Sequence, residues 1–139
     1  MPYAILRFQK RKAGGVAACE RHNERKKEAY KSNPDIDMER SKDNYHLVNP
    51  PRYTYKKEIN QMVKEAGCKV RKDSVMMVET LITASPEFMN SLPPEEQKAY
   101  FQTALDFISE HVGKKNILSA VVHMDERTPH MHLCFVPLT

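Results

Sequence analysis

His123-Met124-Asp125-Glu126-Arg127-Thr128-Pro129-His130-Met131-His132 places three of the chain's six histidines within ten residues. Residues 117–124 and 130–138 read as strands, and the polar connection between them ends in proline, as a turn suits. Alternation puts His130 and His132 on one face of their strand. If the two strands pair as a hairpin, His123 lies beside His130, with cross-strand Cβ atoms roughly 5 Å apart. Three imidazoles then meet on one patch of sheet, within reach of a single cation at about 2.0–2.2 Å per bond. A lone strand histidine is ordinarily a satisfied surface or core residue. Three on one hairpin, with Glu126 in the turn, point to a metal site. Imidazole suits Mn, Zn, Co, Ni or Fe better than Ca, and three protein ligands leave positions open for chemistry.

Working outward, Tyr3 to Lys10 alternates as a first strand and Gly14-Gly15 breaks it. Val16 to about Lys31 reads as a helix whose apolar face is thin, so tertiary contacts or a ligand must hold it down. Residues 36–55 are polar, contain Pro50-Pro51, and read as a long loop with one short helical turn. Lys56 to about Ala66 is helical, stopped by Gly67. Ser74 to Ala84 is a nearly continuous apolar run, the pattern of a central strand covered on both faces. Glu79 in its middle needs a polar partner if buried, and orienting a metal-bound histidine is one role open to it; an edge position is the other. Ser91 to Val112 is the clearest helix, with Ser91 or Asn90 as cap and an apolar stripe Phe101, Leu105, Ile108, Val112. The order β, α, loop, α, β, α, β, β has too few strands for a doubly wound fold. It predicts an α+β class, an antiparallel β-sheet with helices packed on one face and the histidine face open.

For a chain of 139 residues, 40% hydrophobic and 29% charged, one globular domain is the natural expectation. No apolar run is long enough to span a membrane, and no signal-peptide core is present. Cys19, Cys68 and Cys134 are odd in number and lack a Cys-x-x-Cys spacing, which argues for reduced thiols and a cytoplasmic setting. Cys134 shares strand parity with His130 and His132; it reads as a soft ligand or, more simply, as a small buried side chain. The net charge of +4 is uneven: Lys10–Lys31 and Arg52–Lys72 each carry +5, and the remainder carries −6. Two basic blocks suggest a polyanion such as nucleic acid, though solvated helix faces have the same composition.

Three segments together, His22-Asn23-Glu24-Arg25, Asn44-Tyr45-His46-Leu47, and His123 to Glu126 running into Pro129-His130-Met131-His132, resemble a known family. The chain is similar to the N-terminal catalytic domain of the MobV-type (Mob/Pre) plasmid mobilisation relaxases, within the histidine-hydrophobe-histidine (HUH) endonucleases. The resemblance implies a DNA strand transferase. Such an enzyme nicks one strand at an origin of transfer, stays joined to the 5′ phosphate and later rejoins the strand. It implies a divalent metal, Mn or Mg, with Zn, Co or Ni as substitutes, held by His123, His130 and His132 with Glu126 nearby. The candidate nucleophile is His22, with Tyr45 as the alternative. The implied partner is DNA, as a single-stranded or hairpin origin of transfer, with no membrane contact for this domain. Two departures stand out. His46 replaces the aspartate of the usual Asn-Tyr-Asp-Leu, which makes it a candidate DNA contact. Family members also continue well past the last histidine strand, so residues 1–139 are expected to be a C-terminally truncated relaxase domain.

In this reading a neutral His22 attacks the phosphorus, a state its reference pKa of about 6.5 allows at neutral pH. Arg25, one turn away on the same helix, is expected to grip a phosphate oxygen bidentately. Arg21 and Lys26 of the first basic block, and Arg71 and Lys72 of the second, are the further candidate DNA contacts. The alternatives are a replication-initiator-type HUH nuclease, another metal phosphoesterase, or a non-catalytic DNA-binding module with a structural metal.

Overall fold

The structure, a computed structural model, describes residues 3–25 and 42–138. In chain order the elements are β1 (Ala4–Lys12), α1 (Ala13–Asn23), β2 (Tyr45–Val48), α2 (Tyr55–Ala66), β3 (Val75–Ala84), α3 (Pro86–Ser91), α4 (Pro94–Val112), β4 (Ile117–His123) and β5 (His130–Phe135). Five strands form one sheet in the order β1-β3-β5-β4-β2, each neighbouring pair antiparallel. The α+β class and the antiparallel sheet are as expected.

The apolar run of β3 is continuous because two cores need it. On one face Val78 and Ile82 of β3, Ala120 and Val122 of β4, and Met131 and Leu133 of β5 pack against Met89 of α3 and Phe101, Leu105 and Ile108 of α4. On the other face Met77, Leu118 and Cys134 pack against Val16 and Cys19 of α1 and Tyr55 and Ile59 of α2. The expectation of helices on one face is therefore corrected. They cover both, and on the second face α1 and α2 leave the end that carries the histidines accessible. The sequence hid this because α1 buries a mixed stripe, Val16, Cys19, Glu20 and Asn23, rather than an apolar one.

Gly14 and Gly15 open α1 instead of separating it from β1. The 36–55 stretch contains β2, a four-residue edge strand paired to β4, which was not expected; its part up to residue 41, like the expected second half of the first helix, lies outside the described residues. Thr54 caps α2 by accepting from Lys57 N at 3.1 Å, and Gly67 ends it in the left-handed conformation at φ 69°. The helix expected over 91–112 is α4, which starts at Pro94 because Leu92 is extended and Pro93-Pro94 restarts the chain; the short α3 before it was not expected. His111 in its last turn contacts the Phe107 carbonyl through Nδ1 at 3.0 Å and takes no part in the histidine cluster.

Phe101 has no exposed surface. Phe101→Ala is expected to cost about 3–5 kcal/mol of stability, as large-to-small core changes do; urea denaturation measures it, and a loss below about 1 kcal/mol would mean α4 is not docked as described.

Candidate active site

The β4–β5 register pairs His123 with His130 and Val121 with His132. All three histidines consequently face α1, and their ring centroids are 5.5 Å (His123–His130), 4.5 Å (His123–His132) and 4.9 Å (His130–His132) apart. One nitrogen of each lies within 4.8 Å of the others. Atoms sharing one ion at about 2.1 Å are at most about 4.2 Å apart, so a small ring rotation closes the set.

Hydrogen bonds determine which nitrogens are left for an ion. His123 Nε2 donates to the Asn23 carbonyl at 2.7 Å, and its buried Nδ1 has no partner. His132 Nδ1 faces Glu79 Oε2 at 3.2 Å, and its buried Nε2 has no partner. His130 Nδ1 faces the Thr128 carbonyl at 2.9 Å while Nε2 meets Glu126. Two orphaned buried ring nitrogens beside a third histidine and a carboxylate fit a divalent cation, with outer partners already orienting each ring. Burial first, then the neighbouring His132, pushes the His123 imidazole down to about 2 and lowers His130 as well, which keeps both in the neutral, metal-binding form.

Glu79 is buried in a strand flanked on both sides and meets His132, so of the two readings the edge position is excluded. Burial opposes its ionisation, but hydrogen bonding and charge from His132, with Arg11 at 2.8 Å, more than offset this and hold the carboxyl well below the usual range. Cys19 Sγ also contacts Oε2, at 3.2 Å. Cys134 is a buried side chain beneath the histidines and Asn23 Nδ2 approaches its sulfur at 3.4 Å.

His22 projects from the last turn of α1 into this cluster, its ring centroid 5.8 Å from His132 and 6.1 Å from His123. Burial and then the charge of Arg25 lower its pKa, so the neutral imidazole is favoured. A cleft of about 470 Å³ runs from His22, His130, His132 and Glu126 over Leu81 and Thr83 towards Tyr3. A larger groove of about 580 Å³ lies on the other face between β1 and α4, lined by apolar residues such as Leu6, Ile82 and Phe107, away from the histidines.

Arg25 does not reach into the cleft as expected. It forms a two-pronged ion pair with buried Asp125, Nε to Oδ2 at 2.7 Å and Nη2 to Oδ1 at 2.8 Å, and its side chain is 7% exposed. Its Nη1 donates to the His22 carbonyl at 3.0 Å and stands 3.4 Å from His22 Nε2. The left-handed backbone at Arg25, φ 52°, ends α1 and swings the guanidinium to Asp125. Asn44 completes the junction, donating to Asp125 Oδ2 at 3.1 Å and accepting from Met124 N at 2.6 Å. Asp125 and Asn44 were not singled out as site residues, because contacts spanning 100 and 81 positions leave no local pattern.

Tyr45 is not brought to the cleft. It pairs with Val122, so it points to the α4 face, where it packs on the core and Lys98 Nζ lies 5.8 Å from its ring. Burial raises its phenol pKa. His46, on the histidine side, contacts Glu24 at 2.6 Å. Arg21 is exposed beside His22, and Lys26 lies outside the described residues. Arg71 and Lys72 precede β3 at the end opposite the histidines, roughly 20 Å away by strand rise from Val75 to Leu81.

The sequence profile of the Mob_Pre family, described as plasmid recombination enzyme, matches residues 1–139. The chain belongs to this family. Among curated members it is 45% identical over 138 residues to a plasmid recombination enzyme of Bacillus thuringiensis, and 40% identical over 141 residues to a type 2 enzyme of Staphylococcus aureus. These alignments cover 99% of this chain but 31% and 33% of the relatives, so the chain spans about a third of their length. Among solved structures it superposes with a TM-score of 0.92, at 40% identity, on the MobM relaxase domain bound to plasmid pMV158 oriT DNA in a Mn-bound crystal structure, covering 99% of this chain and 71% of that one. A second Mn-bound crystal structure of that domain with oriT DNA gives 0.90 at 39% identity.

Mn, Co or Zn at about a hundred times its Kd should stabilise the fold by about 2.7 kcal/mol, several degrees in Tm. His132→Ala should abolish that rise; a melting temperature indifferent to metal in the unaltered protein contradicts the site. Arg25→Ala strands a buried Asp125 and should destabilise by about 3–5 kcal/mol, whereas loss of a phosphate clamp alone would leave the urea midpoint unchanged.

Proposed function

We propose that this chain is the strand-nicking domain of a plasmid relaxase, a metal-dependent DNA strand transferase that cuts one strand at an origin of transfer and rejoins it through a covalent 5′-phosphate intermediate. One observation carries the reading. A buried-edge imidazole, His22, held neutral by its surroundings, faces three sheet histidines, two of which keep a buried ring nitrogen with no partner. The family membership and the DNA-bound, Mn-bound relatives support it.

A cation held by His123, His130 and His132 supplies Lewis-acid charge to the phosphate oxygens, with Mn the metal favoured by the relatives. The chain's own groups do the rest. The Arg25–Asp125 pair and the Asn23 carbonyl hold α1 against the hairpin, so that His22 and the three rings keep one spacing. Arg25 beside His22 disfavours protonation of its ring and leaves a lone pair for attack. As the nitrogen–phosphorus bond forms, the bond from phosphorus to the 3′ oxygen breaks, the 3′ oxygen takes up the proton that the other ring nitrogen of His22 gives up, and the 5′ phosphate stays on the ring. Rejoining is the reverse. Glu126, which lines the cleft beside His130, is the proposed relay for that proton. In this proposal residues 1–139 act as one domain in the cytoplasm, consistent with three free thiols and with no helix among the described residues long and apolar enough to cross a membrane.

With Mn and an end-labelled origin strand, the protein should release a free 3′ fragment and retain the 5′ fragment covalently. His22→Ala should abolish the adduct and Tyr45→Phe should keep it; mild acid should release the DNA, as from a phosphoramidate. Two free fragments would indicate a hydrolase, a shifted but uncut strand a binding module, and an acid-stable adduct lost only with Tyr45→Phe would move the nucleophile to Tyr45.

A further inference from the structure

The turn before α2 carries an aromatic ring that neither core uses. Tyr53 is 58% exposed and belongs to neither apolar cluster, whereas Tyr55, two residues on, has no exposed surface. Lys57 Nζ stands 4.1 Å from the Tyr53 ring centroid and the Arg52 guanidinium carbon 5.5 Å. Both cations belong to the second basic block and lie over the ring, so a base that stacks there displaces one of them towards its own phosphate. The ring's mount is firm. Tyr55 N donates to Glu20 Oε1 at 2.7 Å, and the Tyr55 hydroxyl meets Glu24. Glu24 also receives Ser119 Oγ at 3.2 Å and contacts His46. Glu20 belongs to α1 and Glu24 caps it, so the start of α2 is tied to the helix that carries His22.

We infer that Tyr53 is a stacking platform for an unpaired DNA base, with Lys57 and Arg52 receiving the phosphates beside it. This rests on the strand-nicking reading and adds a second contact to it. Every base has a π-face, so an exposed ring flanked by cations binds single strands with little regard to sequence. His46, exposed on β2, contacts the same Glu24 that receives the Tyr55 hydroxyl, which links the turn carrying Tyr53 to the end of α1. Neither the hairpin nor the family motifs include Tyr53.

The protein contains no tryptophan, so Tyr53→Trp introduces one reporter. Titration at low salt with an unlabelled 22-nucleotide single strand, the length bound by the MobM relative, should quench its emission and shield it from acrylamide. Fluorescence anisotropy with a labelled copy of the strand should show Tyr53→Ala binding roughly tenfold more weakly and Tyr53→Phe or Tyr53→Trp binding like the parent. Circular dichroism melts of each variant confirm that the turn, not the fold, has changed. Unchanged affinity in Tyr53→Ala, together with unquenched indole emission from Tyr53→Trp, overturns the platform while leaving the cleft reading intact. Failure of the unaltered protein to bind the strand overturns both.

Discussion

The β4–β5 register is the constraint on which the site depends. His123 opposite His130 puts three rings on one face; a slip of one residue would send His130 and His132 into the α4 core. The slip is opposed by the alternate residues of β5. Met131, Leu133 and Phe135 are buried on the α4 side, and exposing three such side chains costs on the order of 6 kcal/mol. An apolar core on one face therefore sets the geometry of a polar site on the other.

The histidine face is held together by polar contacts where most of the sheet uses apolar ones. Arg25–Asp125 joins α1 to the hairpin turn, Asn44 joins β2 to the same carboxylate, the Asn23 carbonyl orients His123, and Glu79 orients His132. Such buried charges lose hydration that pairing only partly restores, so they are poor devices for stability alone. Here they hold the rings in fixed orientations and leave a ring nitrogen of His123 and of His132 available. The three sequence segments that resemble the relaxase family are the three that meet at Asp125 and the histidines. Their separation along the chain and their union in space have one physical cause.

Much of this was legible in the sequence. The hairpin, the convergence of three imidazoles and a partner role for Glu79 follow from strand parity and from the rule that buried carboxylates need partners. Other features were not. β2 has four residues in a polar stretch before Pro50-Pro51, and its pairing with β4 supplies what local hydrophobicity does not. Without that pairing the side of Tyr45 was undetermined, and its distance from the cleft could not be seen. Arg25 had the right helical spacing to join His22, but its carboxylate partner lies a hundred residues away. Arg71 and Lys72 belong to a basic block in sequence, yet a strand's length separates them from the histidines. The mixed face of α1 concealed the second helical layer for the same reason: Glu20 and Asn23 are buried by specific partners, not by hydrophobicity.

Anomalous diffraction at the manganese edge from crystals soaked in Mn tests the arrangement most directly. A single strong peak should lie within about 2.3 Å of Nδ1 of His123 and Nε2 of His132, in contact with His130 and open towards His22. A peak bound elsewhere, or rings that turn apart to opposite sides of the hairpin in the soaked crystal, would contradict it.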